Sequence, residues 1–135
     1  MMTTNVSNKM LKAVLIFDAV TCFAFGLLLC LGGGLLASHF GLPADLLIYA
    51  GIILFPCSVL MFVTAKHARP ALALVWLIIL GNLGWVLASI TILVLPIGTP
   101  TVIGYGFVSA QALAVLGIAA LEYRAIAQHS LSSTT

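Results

Sequence analysis

Four apolar runs, each about 20 residues or longer, take up two thirds of the chain. They cover residues 13–36, 46–65, 71–95 and 101–121, and the third and fourth contain no charged residue. A helix that crosses a bilayer needs about 20 mostly apolar residues. In hydrocarbon the backbone must satisfy its own polar groups, and a helix does so within one segment. Between them lie only the short connections 37–45, 66–70 and 96–100, and nothing is left over for a soluble domain. The pattern predicts an all-α, single-domain chain over residues 1–135, an antiparallel, up-down-up-down four-helix membrane bundle.

Composition narrows the function classes. Hydrophobic residues make up 63% of the 135 and charged residues 6%, against about 45–50% and about 25% in soluble domains. Five Lys/Arg and three Asp/Glu cannot clothe a soluble globule. A water-soluble enzyme, a disordered chain and a nucleic-acid binder with a basic face are excluded. The run 13–36 exceeds the roughly 7–15 apolar residues of a cleaved signal, so it reads as an uncleaved first span. Cys22, Cys30 and Cys57 are odd in number and lack C-x-x-C spacing, which argues against a disulfide framework and for small core residues.

Orientation follows from the basic residues. Lys9 and Lys12 precede the first run, Lys66 and Arg69 lie between the second and third, and Arg124 follows the fourth. Alternating spans put all of them on one side, which the positive-inside rule makes cytoplasmic. Both termini are then expected inside. Boundary signals agree with this division. Ser7 is a capping candidate before the first run, Pro43 suits the first turn of the second helix, and Asp45 suits its positive end. A break falls at Pro70, and Thr99-Pro100 reads as a cap followed by proline at the first helical position.

Membrane helices associate through small residues and interhelical hydrogen bonds. Gly84 and Ala88 in the third run, Gly106 and Ala110 in the fourth, and Gly26, Cys30 and Gly34 in the first are expected at close approaches. Pro56 interrupts the second helix and frees the carbonyl of Ile52, with a packed bend or a cavity as the two readings.

The polar residues within the runs are the site candidates. Asp18 lies about 8 Å from the cytoplasmic edge, counted from residue 13. An ionisable group at that depth is a functional-site candidate by default, able to bind and release a proton. The alternative is structural, with the carboxyl bonded to a neighbouring helix. Asn82 lies about 16 Å from the inner edge and Gln111 about 15 Å from the outer edge, so the two are expected to pair near the midplane. The stripes Asp18, Thr21, Cys22, Phe25; Ile78, Asn82, Trp85, Ser89; and Gly104, Gln111, Ala114 would enclose a polar seam with Trp85 as its aromatic wall. Asp18, Asn82, Trp85 and Gln111 are therefore the proton- or ligand-binding candidates. Glu122 and Arg124, at the end of the fourth run, are expected to meet head groups, water or the Lys9–Lys12 segment. Trp76, Tyr49, Tyr105 and Tyr123 suit the interfacial belts. His39 falls outside while His67 and His129 fall inside, so no metal or haem ligation is expected, no cofactor is implied, and no catalytic constellation can be assembled.

Residues 47–62 (LIYAGIILFPCSVLMF), 80–90 (LGNLGWVLASI) and 108–124 (VSAQALAVLGIAALEYR), with Asp18-Ala19, carry a resemblance. The chain resembles a family of small bacterial four-span inner-membrane proteins, mostly hypothetical. The resemblance implies a bacterial inner-membrane location and no activity. Small multidrug transporters share four spans and one acid in the first, but theirs is a glutamate and their later motifs are not evident here. Three functions fit the residues. One is a proton-linked transporter or small-ligand-binding membrane protein, working as a homodimer. Another is a non-catalytic accessory subunit that docks on a larger membrane complex. The last is a membrane enzyme acting on lipid or quinone, which lacks a visible nucleophile or acid–base pair. The lipid bilayer is the partner common to all, and nucleic acid to none.

Overall fold

The computed structural model describes residues 2–67, 72–95 and 97–134, with side chains over 9–67, 72–95 and 97–127. Arg69, Pro70 and the side chains of Ser7 and His129 lie outside the described residues. Four helices account for nearly all of it: α1 (Met2–Phe40), α2 (Ala44–Lys66), α3 (Leu72–Val94) and α4 (Val102–Thr134). No strand occurs among the described residues. All four helices are long and apolar enough to cross a membrane. Helix α1 runs through Ser7, so this residue is not a cap.

Burial runs opposite to that of a water-soluble bundle. Asp18, Ser58, Thr64, Asn82, Ser89 and Glu122 are buried, while Leu31 is 85% and Val102 88% exposed. Exposed leucine alone carries little information, but buried polar groups beneath an apolar outer face do. The arrangement suits hydrocarbon as the surrounding solvent and fits a small multi-pass membrane protein.

Helix α1 packs along α2 and α4, and α4 also packs along α3, whereas α2 and α3 barely meet. Two apolar clusters fill the interior. One joins Leu11 and Leu15 of α1, Met61 and Ala65 of α2, Val75 and Ile78 of α3, and Ala125 and Ile126 of α4. The other joins Leu29 and Phe40 of α1, Leu47 and Leu54 of α2, and Val108 of α4, with Trp85 and Ile92 of α3 against it.

The connections at the Phe40 end are tied together. Helix α1 stops at Gly41, whose φ of 70° is left-handed and whose N–H returns to the Ala37 carbonyl at 2.9 Å. Thr99 N–H donates to the Gly41 carbonyl at 2.9 Å, and Thr101 N–H to the Phe40 carbonyl at 3.0 Å. The Thr101 hydroxyl donates to the His39 carbonyl at 2.7 Å and accepts from Gly104 N–H at 3.0 Å. Thr101, not Thr99, therefore caps α4. Its oxygen stands three residues before the donor it serves, whereas Thr99 is committed to the α1–α2 connection. Asp45 lies in the first turn of α2 as the sequence suggests, while Pro43 sits one residue earlier than expected, at the N-cap with an extended ψ of 135°.

Gly26 and Cys30 stand at a close approach of α1 to α2 as expected, since a Cβ on Gly26 would lie 3.1 Å from the Gly51 carbonyl oxygen, but the expected glycines of α3 and α4 do not. A Cβ on Gly51 would lie 2.9 Å from Leu29 Cβ and 3.0 Å from the Gly26 carbonyl oxygen, marking a close crossing of α1 and α2. A Cβ on Gly104 would collide with the Phe40 carbonyl. Gly84 and Gly106 are exposed and would meet nothing within 4 Å, and Ala88 and Ala110 are exposed too. Within one chain the predicted small-residue faces of α3 and α4 are thus outward surfaces. Their spacing fits a helix face, but no neighbouring helix packs closely on that face. Gly34 likewise has nothing near it. Pro56 lies on the exposed side of α2, and interhelical bonding there is made by Ser58, whose hydroxyl donates to the Ala19 carbonyl at 2.7 Å. Gly104→Ala is expected to destabilise the fold by about 1–3 kcal/mol, because backbone cannot rotate away from the added methyl. Gly84→Ala should shift it by no more than about 0.5 kcal/mol. Detergent-unfolding curves of the two variants check both.

Candidate functional site

Three helices bring three polar side chains to one point in the interior. On α1, Asp18 follows Leu11 and Leu15 on the buried face; on α3, Asn82 follows Val75 and Ile78; on α4, Glu122 lies between Ile118 and Ala125. Helical spacing places each polar residue in phase with its apolar neighbours, so packing those neighbours also buries the polar group. Asp18 is 2%, Asn82 6% and Glu122 0% exposed.

The Asn82 amide joins the two acids. Its Nδ2 donates to Asp18 Oδ2 at 2.9 Å and to Glu122 Oε1 at 2.7 Å. Both of its N–H bonds are thereby used. Cys22 Sγ, one turn along α1, donates to Asp18 Oδ1 at 3.5 Å. Glu122 Oε2 is buried with no hydrogen-bond partner. Among the described residues no Lys, Arg or His contacts either carboxyl.

Two carboxylates held by one amide, without a cation, would be two like charges in a desolvated site. Such pairs share a proton rather than ionise together. One proton removes one charge, and an O–H on either acid supplies a donor that the cluster otherwise lacks. The arrangement is chemically a proton-binding site. Among the described residues no group of three His, Cys, Asp or Glu side chains is placed to hold a metal ion.

A second polar group sits nearer the Phe40 end. Trp85 Nε1 donates to Gln111 Oε1 at 2.6 Å, and Gln111 Nε2 donates to Ser89 Oγ at 2.7 Å and to the Val108 carbonyl at 2.9 Å. The Ser89 hydroxyl in turn donates to the Trp85 carbonyl at 2.9 Å. This set borders a cavity of about 360 Å³ between α2 and α3, lined almost wholly by apolar atoms. Phe25, whose ring stacks on Phe107 with centroids 5.3 Å apart, forms part of its wall.

The four sequence candidates thus divide into two pairs. Asp18 meets Asn82, and Trp85 meets Gln111. The midplane bond expected between Asn82 and Gln111 is not made, since each amide donates to other partners. Thr21 and Ala114 leave the predicted seam, being exposed, and the Thr21 hydroxyl donates back to the Phe17 carbonyl at 2.7 Å. Glu122, expected among head groups, is the residue that sequence reasoning misplaced. The signal was present. Glu122 lies eleven residues after Gln111, and at about 100° per residue that interval returns to the same helix face within about 20°. Ending the fourth run at Leu121, where the first charge appears, hid this. Arg124, two residues on, is exposed.

No protein-family model matches the chain, and neither a curated protein nor a solved structure does.

Proposed function

We propose that the chain is a multi-pass protein of the bacterial inner membrane that binds a proton at Asp18, Asn82 and Glu122 and couples it to the binding or transport of a small molecule. The observation that carries this reading is the wholly buried Glu122, held beside Asp18 by one amide, with Oε2 unpartnered and no cation at hand among the described residues. Acids at such depth are costly, and that cost is met in proteins mainly where ion or proton binding needs it. Up-down-up-down threading with both termini cytoplasmic is part of the proposal. The joining of the first turns of α3 with the last turns of α2 in one apolar cluster supports it. So does the placing of Lys9, Lys12, Lys66 and Arg124 toward that end. The Lys66 ammonium over the Phe62 ring, 5.0 Å from its centroid, and the edge contact of Trp76 with Tyr123 suit an interface there.

A docking role in which Asp18 pairs with another protein has less in its favour, because Asp18 is already bonded within the chain. Association through the outward Gly106 and Ala110 of α4, as a homodimer or within a larger complex, remains open to it and is read by native mass spectrometry from mild detergent.

Infrared titration of the lipid-reconstituted protein tests the proton site. A carbonyl stretch of a buried protonated carboxylic acid is expected, shifted by Asp18→Asn and by Glu122→Gln and absent from the double variant. A spectrum without that band, or one in which neither substitution moves it, would refute the proton-binding reading.

A further inference from the structure

The cavity between α2 and α3 has features that specify its occupant. The polar groups of α3 and α4 that border it offer nothing to a ligand. Trp85 N–H, both Gln111 amide groups and the Ser89 hydroxyl are committed to one another and to backbone carbonyls. Apart from the Tyr49 hydroxyl at its edge, the lining gives a ligand that needs hydrogen bonds no uncommitted side-chain partner. The wall is otherwise aliphatic and aromatic, from Phe25 and Leu29 to Ile53 and Val108. Its volume of about 360 Å³ falls within the range of small-molecule pockets, about 300–1,000 Å³.

The mouth is sideways. Helices α2 and α3 hardly touch, and along this seam α3 presents Gly84 and Ala88, both exposed. A Cβ on Gly84 would meet nothing within 4 Å. The residues beside the mouth are themselves exposed and apolar: Tyr49 and Ile53 on α2, Leu87 on α3. At this depth of a membrane-spanning helix pair, the phase outside such a face is hydrocarbon.

We propose that this cavity takes a single hydrocarbon chain from the surrounding lipid phase, entering between α2 and α3 past Gly84 and Ala88. The inference rests on the membrane-protein reading above and gives the class of molecule that the bundle would bind. Asn82 and Trp85 stand one helical turn apart on α3, and Asp18, Cys22 and Phe25 follow one another along α1, so chain and proton would occupy neighbouring levels of one interior.

The chain contains two tryptophans, Trp76 and Trp85. Trp76→Phe leaves Trp85, on the cavity wall, as the sole reporter. In phosphatidylcholine vesicles, replacing part of the lipid with its acyl-brominated form is expected to quench Trp85 fluorescence. Gly84→Leu and Ala88→Leu, which fill the mouth, should remove most of that quenching. Gly81→Leu, an equal enlargement at an exposed position of α3 away from the cavity, should leave it unchanged. Circular dichroism establishes that each variant is helical. Added brominated free fatty acid separates the sources: quenching by phospholipid assigns an acyl chain still attached to its head group, and quenching by the fatty acid alone assigns a free one. Quenching that neither mouth variant reduces overturns the proposal. So does its absence, including the case in which Ala88→Cys cross-links two copies and a second chain covers the seam. The readout needs no proton gradient, so chain binding and the proton site can fail separately.

Discussion

Asn82→Asp is expected to destabilise the bundle by about 3 kcal/mol, more than any other near-isosteric substitution in the chain. The change swaps one NH2 group for oxygen, and its effect comes from what that group does. Among the described residues, Asn82 Nδ2 is the only hydrogen-bond donor shared by Asp18 and Glu122. Aspartate would remove both bonds and place a third acid against the other two, where no basic side chain among the described residues answers it. Asn82→Ala removes the donor without adding an acid and should cost about 1–3 kcal/mol, the usual range for buried polar groups left unpaired. The ordering is therefore wild type, then Asn82→Ala, then Asn82→Asp. Unfolding of the bicelle-held protein by a denaturing detergent measures it. An Asn82→Asp variant as stable as the alanine variant would mean that the acids are less desolvated than their 2% and 0% exposures imply.

That ordering depends on a residue whose place the sequence disguised. Four helices long and apolar enough to span a membrane were legible because length and hydropathy alone decide them there, but α1 starts eleven residues before, and α4 ends thirteen residues after, the apolar runs. The interior was legible only where helical phase is unambiguous. Asp18 and the Ile78, Asn82, Trp85, Ser89 stripe are inward as expected, since polar residues in an apolar helix face protein rather than lipid. Depth was read less well. Counted from residue 13, Asp18 falls several ångströms shallower than Asn82. Helix α1 begins before Lys9, and from Lys9 to Asp18 is about 14 Å, close to the about 15 Å from Leu72 to Asn82.

Glu122 was lost for a related reason. A charged residue at the end of an apolar run ordinarily marks the head-group level, and snorkelling makes that reading cheap. Helix α4 continues past it to Thr134, and Ala125 and Ile126 beyond it are still buried. The apolar residues on the far side of the charge were the clue. The glycines failed differently. Spacing shows that Gly84, Ala88, Gly106 and Ala110 share faces, but only the positions of the other helices decide whether a face is covered. Gly51 and Gly104, which do carry close contacts, have no distinguishing pattern of their own.

Replacing the whole cluster by apolar residues of similar size, Asp18→Val, Asn82→Val and Glu122→Leu together, is expected to leave the bundle as stable as wild type or more stable by about 1–4 kcal/mol. The reasoning inverts that for Asn82→Asp. Breaking one member strands the others, whereas removing all of them leaves nothing unpaired, and Glu122 Oε2, which has no partner to lose, no longer has to be buried. Interhelical hydrogen bonds in membranes are worth about 0.6 kcal/mol on average, too little for two of them to offset desolvating two acids. The effects of the single substitutions therefore do not add, as expected for groups in direct contact. The triple variant should at the same time lose the infrared band of the protonated acid. Gain or retention of stability with loss of that band would mean that the cluster is maintained at a cost to the fold, which is how a proton-binding site differs from a clamp. A triple variant clearly less stable than wild type would make Asp18, Asn82 and Glu122 a structural tie between α1, α3 and α4, and the proton would then have no work to do there.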